Sequence, residues 1–365
     1  MSSRSRCCLF FAVTWNRREL LRESLAAVLA QTMAPRRVVV VDNASTDGTP
    51  EAIEGSGLAD RVTLDLLRLT RNGGGSEGFH YGVREALRHE SDWIWLMDDD
   101  CEPRSDSLER LLESRAAGDP ATAGLAPMVR DPQDRLLPMH RGRIVKRAVR
   151  APAQGAAAED YESPEAELDF FSFVGPMFRT RVVREMGPPE REYFIRFEDL
   201  EYSARAAARG RMWVVNDSVV VHKENAPLLG LDLKSMWQNF TRPGEFRGQW
   251  MGTYGLRNIV NGGRRHGYVN AFTAMTYVLL QAVRITLFDP RKLRTIYLYA
   301  LYAYDGWRGL YRSVPPPRWA ALETEPSIVD YLNRESLRYD SEVAEPVRNL
   351  SDVPAGHSRA ARGEE

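Results

Sequence analysis

The hydrophobic positions of the first hundred residues follow two periods in turn, one typical of buried strands and one typical of amphipathic helices. Four strands are predicted by apolar or alternating runs at 7–13, 38–41, 62–66 and 93–97. Three helices are predicted between them by helical spacing and N-terminal capping signals, at 16–29, from Thr49-Pro50 onward, and over 78–89. The order βαβαβαβ predicts an α/β fold with an open, largely parallel central sheet flanked by helices.

The pattern changes further along the chain. A second half beginning near Leu125 predicts a strand at 170–179, a helix at 198–209 and strands over 212–221, interrupted by an Ala/Pro/Glu-rich surface excursion at about 151–167. From Leu233 onward, aromatic and Leu residues recur at helical spacing, and the end of the chain is polar and aperiodic. We therefore predict an α/β domain, a C-terminal helical module and a disordered tail, over 1–230, 231–334 and 335–365.

Composition and charge exclude several classes of protein. The 365 residues include 49 Lys and Arg against 50 Asp and Glu. The chain therefore lacks the overall excess of positive charge that is typical of nucleic-acid-binding proteins. Three cysteines, two of them adjacent, cannot build a disulfide framework or a four-ligand zinc site, which favours a cytoplasmic location. No apolar stretch reaches the roughly 18 residues of a spanning helix. The run at 7–13 follows two arginines, as in a signal peptide, but lacks a small-residue cleavage site and is interpreted as the first strand.

Three acidic residues, Asp98, Asp99 and Asp100, directly follow the fourth strand. Ligands of open α/β folds bind at the carboxyl ends of parallel strands. Adjacent carboxylates repel one another unless a cation is present, and Mg²⁺ or Mn²⁺ accepts carboxylates together with substrate phosphates. The run therefore predicts a metal site, with a solvated acidic turn that caps the next helix as the alternative.

Two loops at the same edge of the predicted sheet carry polar residues and glycines. The loop Asp42–Gly48 follows the second strand, and its short polar side chains suit a nucleobase or ribose, with an Asx-rich turn and helix cap as the alternative. The loop Asn72–Gly75 follows the third strand, and its glycines allow a ligand to approach the backbone closely. It lacks the Gly-Lys-Ser/Thr ending of a P-loop, and a dinucleotide fingerprint would follow the first strand instead.

The second half of the chain adds two candidate sites. Glu198-Asp199 opens a predicted helix, where acids are stabilised by the helix dipole or, alternatively, supply a general base. His222 ends a predicted strand, where an isolated histidine is either a satisfied polar residue or a third metal ligand, since a neutral imidazole can join carboxylates on Mn²⁺.

In order and spacing, these motifs resemble the family 2 glycosyltransferases of the GT-A fold over about residues 8–260. Four segments resemble the family's T-x-N-R, VDN-x-S-x-DG, metal and ED-x-E-W/Y motifs, namely Thr14–Arg17, Val41–Gly48, Trp95–Asp100 and Glu198–Tyr202. His222 stands where the family's late metal-binding histidine is expected. Within the family, the loop Asn72–Phe79 most resembles bacterial galactofuranosyltransferases that build cell-wall galactan from UDP-galactofuranose, although Gly73 and Glu77 depart from their pattern. Related rhamnosyltransferases share this general arrangement of motifs.

The resemblance implies a metal-dependent inverting glycosyltransferase that moves galactofuranose onto a lipid-linked glycan, with a dTDP-rhamnose-using enzyme and a non-catalytic nucleotide-binding protein as alternatives. It implies that Asp199 is the general base, with Glu198 orienting the acceptor hydroxyls. The implied ligands of Mn²⁺ or Mg²⁺ are Asp98, Asp100 and His222. The implied nucleotide-sugar-binding residues are Thr14, Arg17, Asp42, Asn43, Asp47, Asn72, Gly74, Asp98 and Asp99.

A polyprenyl-diphosphate-linked acceptor predicts a site close to the cytoplasmic face of the membrane. Two stretches are candidates for peripheral contact. Residues 141–150 carry five positive and no negative charges, and residues 268–307 combine Tyr and Trp with basic residues, the composition of an interfacial helix. A core-packing helical module with a solvated basic loop is the alternative, and the sequence leaves a homo-oligomer open.

Overall fold

The computed structural model describes residues 7–146, 152–223, 250–289, 291–339 and 348–349. Its strands are β1 Cys8–Thr14, β2 Arg37–Asp42, β3 Thr63–Arg68, β4 Trp93–Asp98, β5 Cys101–Pro103, β6 Thr122–Arg130, β7 Arg141–Ile144, β8 Ala153–Gly155, β9 Glu165–Glu167, β10 Phe170–Phe171, β11 Met177–Arg179, β12 Arg211–His222 and β13 Arg348–Asn349. Its α-helices are α1 Arg18–Leu29, α2 Thr49–Glu54, α3 Gly75–Ala86, α4 Ser107–Glu113, α5 Arg115–Gly118, α6 Thr180–Met186, α7 Glu198–Ala207, α8 Trp250–His266, α9 Ala271–Phe288, α10 Lys292–Arg308 and α11 Ile328–Glu335. Short 3-10 helices lie at Leu58–Asp60, Pro138–His140, Ala158–Tyr161, Arg191–Tyr193 and Pro316–Glu323.

The first half of the sheet is parallel, as the apolar runs predict. Strands β3, β2, β1 and β4 are neighbours in that order, and their side chains are buried on both faces of the sheet. The register places Thr14 beside Asp42 and Val13 beside Asp98. The carboxyl ends of β1, β2 and β4 therefore meet at one edge, and the polar residues that follow them are brought together there.

The second half of the sheet is mixed. Strand β11 runs antiparallel between β4 and β6, whereas β12 runs parallel to β6 and antiparallel to β5 and β9. The single strand predicted at 170–179 is wrong, because the chain turns at Gly175, whose φ is 76°, and β10 and β11 join different sheets. The excursion predicted at 151–167 is also more ordered than expected, since β8 joins a small three-stranded sheet with β7 and β10.

Two of the five cations in the basic stretch at 141–150 are engaged in contacts within the protein. Arg141 is fully buried and donates hydrogen bonds to the carbonyl oxygens of Pro127 at 2.9 Å and Val174 at 2.6 Å. Arg143 forms a two-pronged ion pair with Asp160 at 2.6 and 2.7 Å. Of the other three cations, Lys146 is exposed, and Arg147 and Arg150 lie outside the described residues.

The C-terminal region is helical, as its aromatic spacing predicts. Tyr254, Tyr302 and Trp319 are fully buried and pack against one another in a core between α8, α10 and the 3-10 helix Pro316–Glu323. Residues 231–249, where this module is predicted to begin, lie outside the described residues. No helix in the described ranges is both long and apolar enough to cross a bilayer.

The predicted disordered tail, 335–365, is described only in part. Residues 335–339 complete α11 and the turn after it, with Tyr339 buried, and Arg348–Asn349 pair antiparallel with β3 at the edge of the main sheet. The rest of the tail lies outside the described residues.

Candidate active site

The acidic run that follows β4 lies at the edge where the parallel strands end. Asp98 is half-buried, whereas Asp99 and Asp100 are buried. Thr14, the last residue of β1, donates a hydrogen bond from Oγ1 to Asp99 Oδ2 at 2.6 Å. Arg17 Nη1 lies 3.3 Å from Asp99 Oδ1 and 3.2 Å from Asp100 Oδ2. The structure therefore brings together four of the residues that the sequence predicts for one site.

The three carboxyl groups differ in their electrostatics. Burial, with the charges of Asp100, Asp99 and Glu198, raises the pKa of Asp98 well above its usual range. Burial also raises the pKa of Asp99 to about 6, against the opposing hydrogen bond from Thr14. Burial opposes ionisation of Asp100 as well, but His222 and Arg17 together hold the pKa of this group below its usual value. A cation at this site would relieve the repulsion that Asp98 experiences.

Asp100 and His222 form the centre of a cluster of potential metal ligands. His222 Nε2 lies 3.3 Å from Asp100 Oδ1, and the ligand atoms of Asp100, Cys101 and His222 all lie within 4.8 Å of one another. In this cluster Cys101 stands in place of the predicted Asp98. The Cys101 thiol donates to Asp100 Oδ1 at 3.6 Å, and burial raises its pKa well above the usual range. Because a protonated thiol is a poor ligand for Mg²⁺ or Mn²⁺, Asp100 and His222 are the members that fit such an ion.

One further histidine beside this cluster was missed by the sequence analysis. The His140 ring lies 4.9 Å from the His222 ring in an edge-to-face contact, and His140 Nδ1 is 2.8 Å from Ser172 Oγ. His140 lies in the 3-10 helix before β7, about eighty residues from His222 in sequence. No local pattern singles it out, because only the pairing of distant strands brings the two rings together.

The loop after β2 contacts the glycine-rich loop through one residue and forms a local turn through another. Asn43 Nδ2 donates to the Gly74 carbonyl at 2.8 Å, and the buried Asn43 Oδ1 accepts no hydrogen bond from the residues that the structure describes. Asp42 is buried, which raises its pKa, and accepts a hydrogen bond from Ser45 N at 3.1 Å. Asp47 is exposed, and its carboxylate accepts hydrogen bonds from the backbone amides of Arg18 and Thr49, both at 3.1 Å. The alternative interpretation, a turn and helix cap, therefore fits Asp47.

The glycine-rich loop is built around a buried carboxylate. Asn72 Oδ1 accepts a hydrogen bond from Gly74 N at 2.8 Å, which folds the loop on itself. A Cβ atom on Gly73 would lie 1.5 Å from Glu77 Oε2. Glu77 is fully buried and pairs with Arg71 at 3.0 Å. The two residues that depart from the galactofuranosyltransferase pattern thus depend on each other, since the missing side chain of Gly73 leaves room for the carboxylate of Glu77.

A second pair of carboxyl groups opens α7. Glu198 and Asp199 are half-buried at the first turn, and Asp199 Oδ1 accepts a hydrogen bond from Leu200 N at 2.7 Å. Burial, with the charge of Asp199, raises the pKa of Glu198 to about 8. Burial raises the pKa of Asp199 to about 6. At neutral pH the pair as a whole therefore carries about one proton.

Glu198 connects this pair to the rest of the site. Its charge contributes to the raised pKa of Asp98, and a Cβ atom on Gly75 would lie 3.8 Å from Glu198 Oε1. Glu198 Oε2 is buried and has no hydrogen-bond partner among the described residues. The acidic run, the glycine-rich loop and the start of α7 therefore lie close together, and they place two groups of carboxyl side chains at one candidate site.

This fold is the GT-A glycosyltransferase fold. The crystal structure of GalNAc-T7 with UDP, GalNAc and Mn²⁺ superposes with a TM-score of 0.51 at 13% sequence identity, covering 76% of this chain and 57% of that chain. Residues 10–185 match the model of glycosyl transferase family 2. These residues, just under half of the chain, are therefore similar to family 2 glycosyltransferases.

Two relatives are similar to the chain over part of its length. The chain is 32% identical over 201 residues to galactofuranosyltransferase GlfT1 of Mycolicibacterium smegmatis, covering 54% of this chain and 64% of the relative. It is 24% identical over 241 residues to N-acetylglucosaminyl-diphospho-decaprenol L-rhamnosyltransferase of Mycobacterium tuberculosis, covering 59% of this chain and 76% of the relative. The match to the first relative thus spans less than two thirds of that protein's length.

Proposed function

We propose that the protein is a metal-dependent inverting glycosyltransferase that transfers galactofuranose from UDP-galactofuranose to a lipid-linked glycan. The observation that carries this proposal is that the acidic run after β4 lies near the carboxyl pair at the start of α7. The run Asp98–Asp100 lies at the carboxyl edge of the sheet, and Glu198, the neighbour of Asp199, lies close enough to affect the pKa of Asp98. A phosphate-binding metal site beside a carboxylate base is what glycosyl transfer requires.

In this proposal the nucleotide lies across the ends of β1, β2 and β4. Asn43 Oδ1, which has no described partner, and the partly exposed side chain of Arg17 would contact the nucleotide. Asp98, Asp100 and His222 would hold Mn²⁺ or Mg²⁺, which when bound neutralises the charge of the departing diphosphate. The fit rests on the donor set, a carboxylate and an imidazole in contact, and on the raised pKa of Asp98, which marks a site short of positive charge.

The proposed reaction is a single displacement. The acceptor hydroxyl oxygen attacks the anomeric carbon, the bond between that carbon and the diphosphate oxygen breaks, and UDP leaves. The hydroxyl proton passes to the Asp199 carboxylate, whose pKa of about 6 keeps it ionised at neutral pH yet basic enough to accept a proton. Protonated Glu198 donates a hydrogen bond that orients the acceptor. Attack from the face opposite the leaving group inverts the anomeric configuration.

The choice of donor is supported by the identity to the M. smegmatis galactofuranosyltransferase, which exceeds that to the rhamnosyltransferase. The choice of acceptor is supported by the name of the rhamnosyltransferase, which specifies a decaprenyl diphosphate. A rhamnosyltransferase that uses dTDP-rhamnose is the second candidate.

A lipid-linked acceptor predicts contact with a membrane surface, and α9 offers a suitable face. Apart from Thr286, the exposed side chains described along this helix are apolar, and they include Phe272, Met275, Leu279, Leu280, Val283 and Leu287. Phe272 is 73% exposed, and Leu293 at the start of α10 is 86% exposed. A patch of this kind on a protein surface marks an interaction site. We call these seven residues the α9 face.

The charges around the α9 face favour an anionic lipid surface as its partner. Between residues 271 and 304 the chain has four basic residues, Arg284, Arg291, Lys292 and Arg294. The one acidic residue in that stretch, Asp289, is buried, accepts a hydrogen bond from Thr295 and lies 3.6 Å from Arg291. Arg291 also pairs with Glu323 at 3.1 Å, which leaves Arg284, Lys292 and Arg294 without a carboxylate partner in the salt bridges of the described residues. An apolar helix face flanked by cations is the pattern of a helix that lies in the membrane interface.

A donor panel tests the proposed function directly. The protein is incubated with Mn²⁺, a polyprenyl-diphosphate-linked glycan and, in turn, UDP-galactofuranose, dTDP-rhamnose and UDP-glucose, and both nucleotide release and product mass are measured. We expect UDP and a product heavier by one hexose, loss of activity in excess EDTA with recovery on adding Mn²⁺, and no transfer by Asp199→Asn. Turnover with dTDP-rhamnose alone would select the second candidate. UDP binding without transfer from any donor would favour a non-catalytic protein.

A further inference from the structure

The segment that leads into the candidate base has an unusual backbone. Phe194, Arg196 and Phe197 have φ values of 66°, 69° and 65°, in the left-handed region that side chains disfavour. Phe197 is the residue that immediately precedes α7, which begins at Glu198. Such backbone persists only where surrounding structure holds it in place. We call residues 192–197 the entry loop.

Asn258, in the middle of α8, holds the entry loop from one side. It is fully buried, and its Nδ2 group donates to the carbonyl oxygens of Tyr193 at 2.9 Å, Ile195 at 3.0 Å and Arg196 at 2.8 Å. The two amide hydrogens of Asn258 thus serve three carbonyl groups of the entry loop. A side chain with no hydrogen-bond donor at this position would leave these contacts unmade.

Arg257 fixes the orientation of that amide. Its Nε donates to Asn258 Oδ1 at 2.9 Å, so the Nδ2 group of Asn258 faces the loop. Its Nη2 donates to the carbonyl oxygens of Glu192 at 3.1 Å and Tyr193 at 2.9 Å. Both side chains are fully buried, and Arg257 is anchored further by Ser313 Oγ at 2.8 Å.

The glycine-rich loop contacts the entry loop from the opposite side. Ser76 N donates to the Phe194 carbonyl at 3.1 Å, and a Cβ atom on Gly74 would lie 2.0 Å from that same oxygen. The entry loop is therefore enclosed between the loop that contacts the nucleotide in the proposed function and a helix of the C-terminal region.

We propose that Asn258, oriented by Arg257, is a positioning residue that holds the entry loop and thereby sets the placement of Glu198 and Asp199 relative to the donor. The catalytic consequence of this inference rests on the proposed function, whereas the effect on the loop does not. A displacement of a reacting group by about 1 Å can lower turnover by about 100-fold. Loss of the Asn258 contacts should therefore lower kcat and leave donor binding intact.

Asn261 offers a matched control for Asn258. It is the same residue type, nearly one turn further along α8 and equally buried. It accepts hydrogen bonds from the hydroxyls of Tyr193 and Tyr311 and donates to the Gly306 carbonyl, so its contacts spare the backbone of residues 194–197. Asn258→Asp replaces the amide donor by an acceptor of the same shape. If that variant fails to fold, Asn258→Ser removes the amide group without introducing a charge.

The test compares both positions in two measurements. In the first, kcat should fall about 100-fold in the Asn258 variants with unchanged affinity for UDP, whereas Asn261→Asp and Asn261→Ser should keep most of their kcat. In the second, hydrogen exchange at the amides of residues 194–200 should accelerate in the Asn258 variants only. The comparison uses Asn258 and Asn261 variants that have the same free energy of unfolding. Equal effects at both positions would overturn the inference. A wild-type protein that transfers no sugar would contradict the proposed function alone, because the exchange measurement would still decide whether Asn258 holds the loop.

Discussion

Arg17 and Asp100 form an ion pair at 3.2 Å across the mouth of the candidate metal site. The Asp100 side chain is buried, whereas the Arg17 side chain is 42% exposed and follows the strand β1 that ends at Thr14. The guanidinium therefore supplies positive charge to the acidic run while remaining accessible to an incoming diphosphate.

Arg17 should contribute to nucleotide affinity. Because hydrogen bonds to charged groups contribute about 1.5–3 kcal/mol, Arg17→Gln should weaken UDP binding by roughly 10- to 100-fold in titration calorimetry. Arg22→Gln is the control, since Arg22 is exposed on α1 and pairs with Glu19. Equal UDP affinity in the two variants would remove Arg17 from the binding site.

The two carboxyl groups of α7 predict a bell-shaped pH dependence of kcat/KM. Activity should fall below about pH 6 as Asp199 becomes protonated, and above about pH 8 as Glu198 loses its proton. Glu198→Gln keeps a hydrogen-bond donor and has no proton to lose, so its profile should retain the acidic limb and lose the alkaline one. An alkaline limb that survives in Glu198→Gln would assign that step to another group.

Stability should depend on the same pair with a definite sign. A carboxyl group whose pKa is raised by folding stabilises the protein below its unfolded pKa and loses that contribution as pH rises through the folded value. The free energy of unfolding should therefore decrease between about pH 4 and pH 8 through this pair, and the decrease should be smaller in Glu198→Gln. Denaturant titrations at several pH values would measure both.

Gly73 and Glu77 should be energetically coupled. Gly73→Ala would push the Glu77 carboxylate away from Arg71 and should lower the free energy of unfolding by about 1–3 kcal/mol. In a Glu77→Ala background the same change should cost less, with a coupling energy of about 0.5–3 kcal/mol in a double-mutant cycle. Gly55→Ala is the control, because its added Cβ would meet the Glu51 carbonyl at an ordinary 3.4 Å. Additive effects would mean that the loop accommodates the clash independently of Glu77.

The α9 face should bind anionic vesicles. In flotation assays, the protein should associate with phosphatidylglycerol-containing vesicles more than with phosphatidylcholine alone, and the triple change Phe272→Ser, Leu279→Gln and Val283→Asn should reduce binding at least about tenfold. Met139→Gln is the control, as Met139 is an exposed apolar residue elsewhere on the surface. If the triple variant instead loses self-association in sedimentation experiments, the α9 face is a protein interface.

The sequence predicts the parts of this site that depend on strand periodicity. Because β1, β2 and β4 are continuous apolar runs, their parallel register and the clustering of Thr14, Asp42 and Asp98 at one edge follow from the pattern. The burial of Arg141 does not follow, since its carbonyl partners come from distant segments. Two other contacts are long-range in the same way: His140 with His222, and Asn258 with the entry loop. Local sequence spacing cannot predict either of them.

The entry loop has a consequence for protein engineering. The matched family segment ends at residue 185, whereas the loop that precedes Asp199 is held by residues in α3 and α8. A chimera that exchanges C-terminal regions between related transferases would separate Asn258 from the backbone it holds if its junction fell between 197 and 257. Residues 191–199 and α8 should therefore be transplanted together when acceptor preference is redesigned.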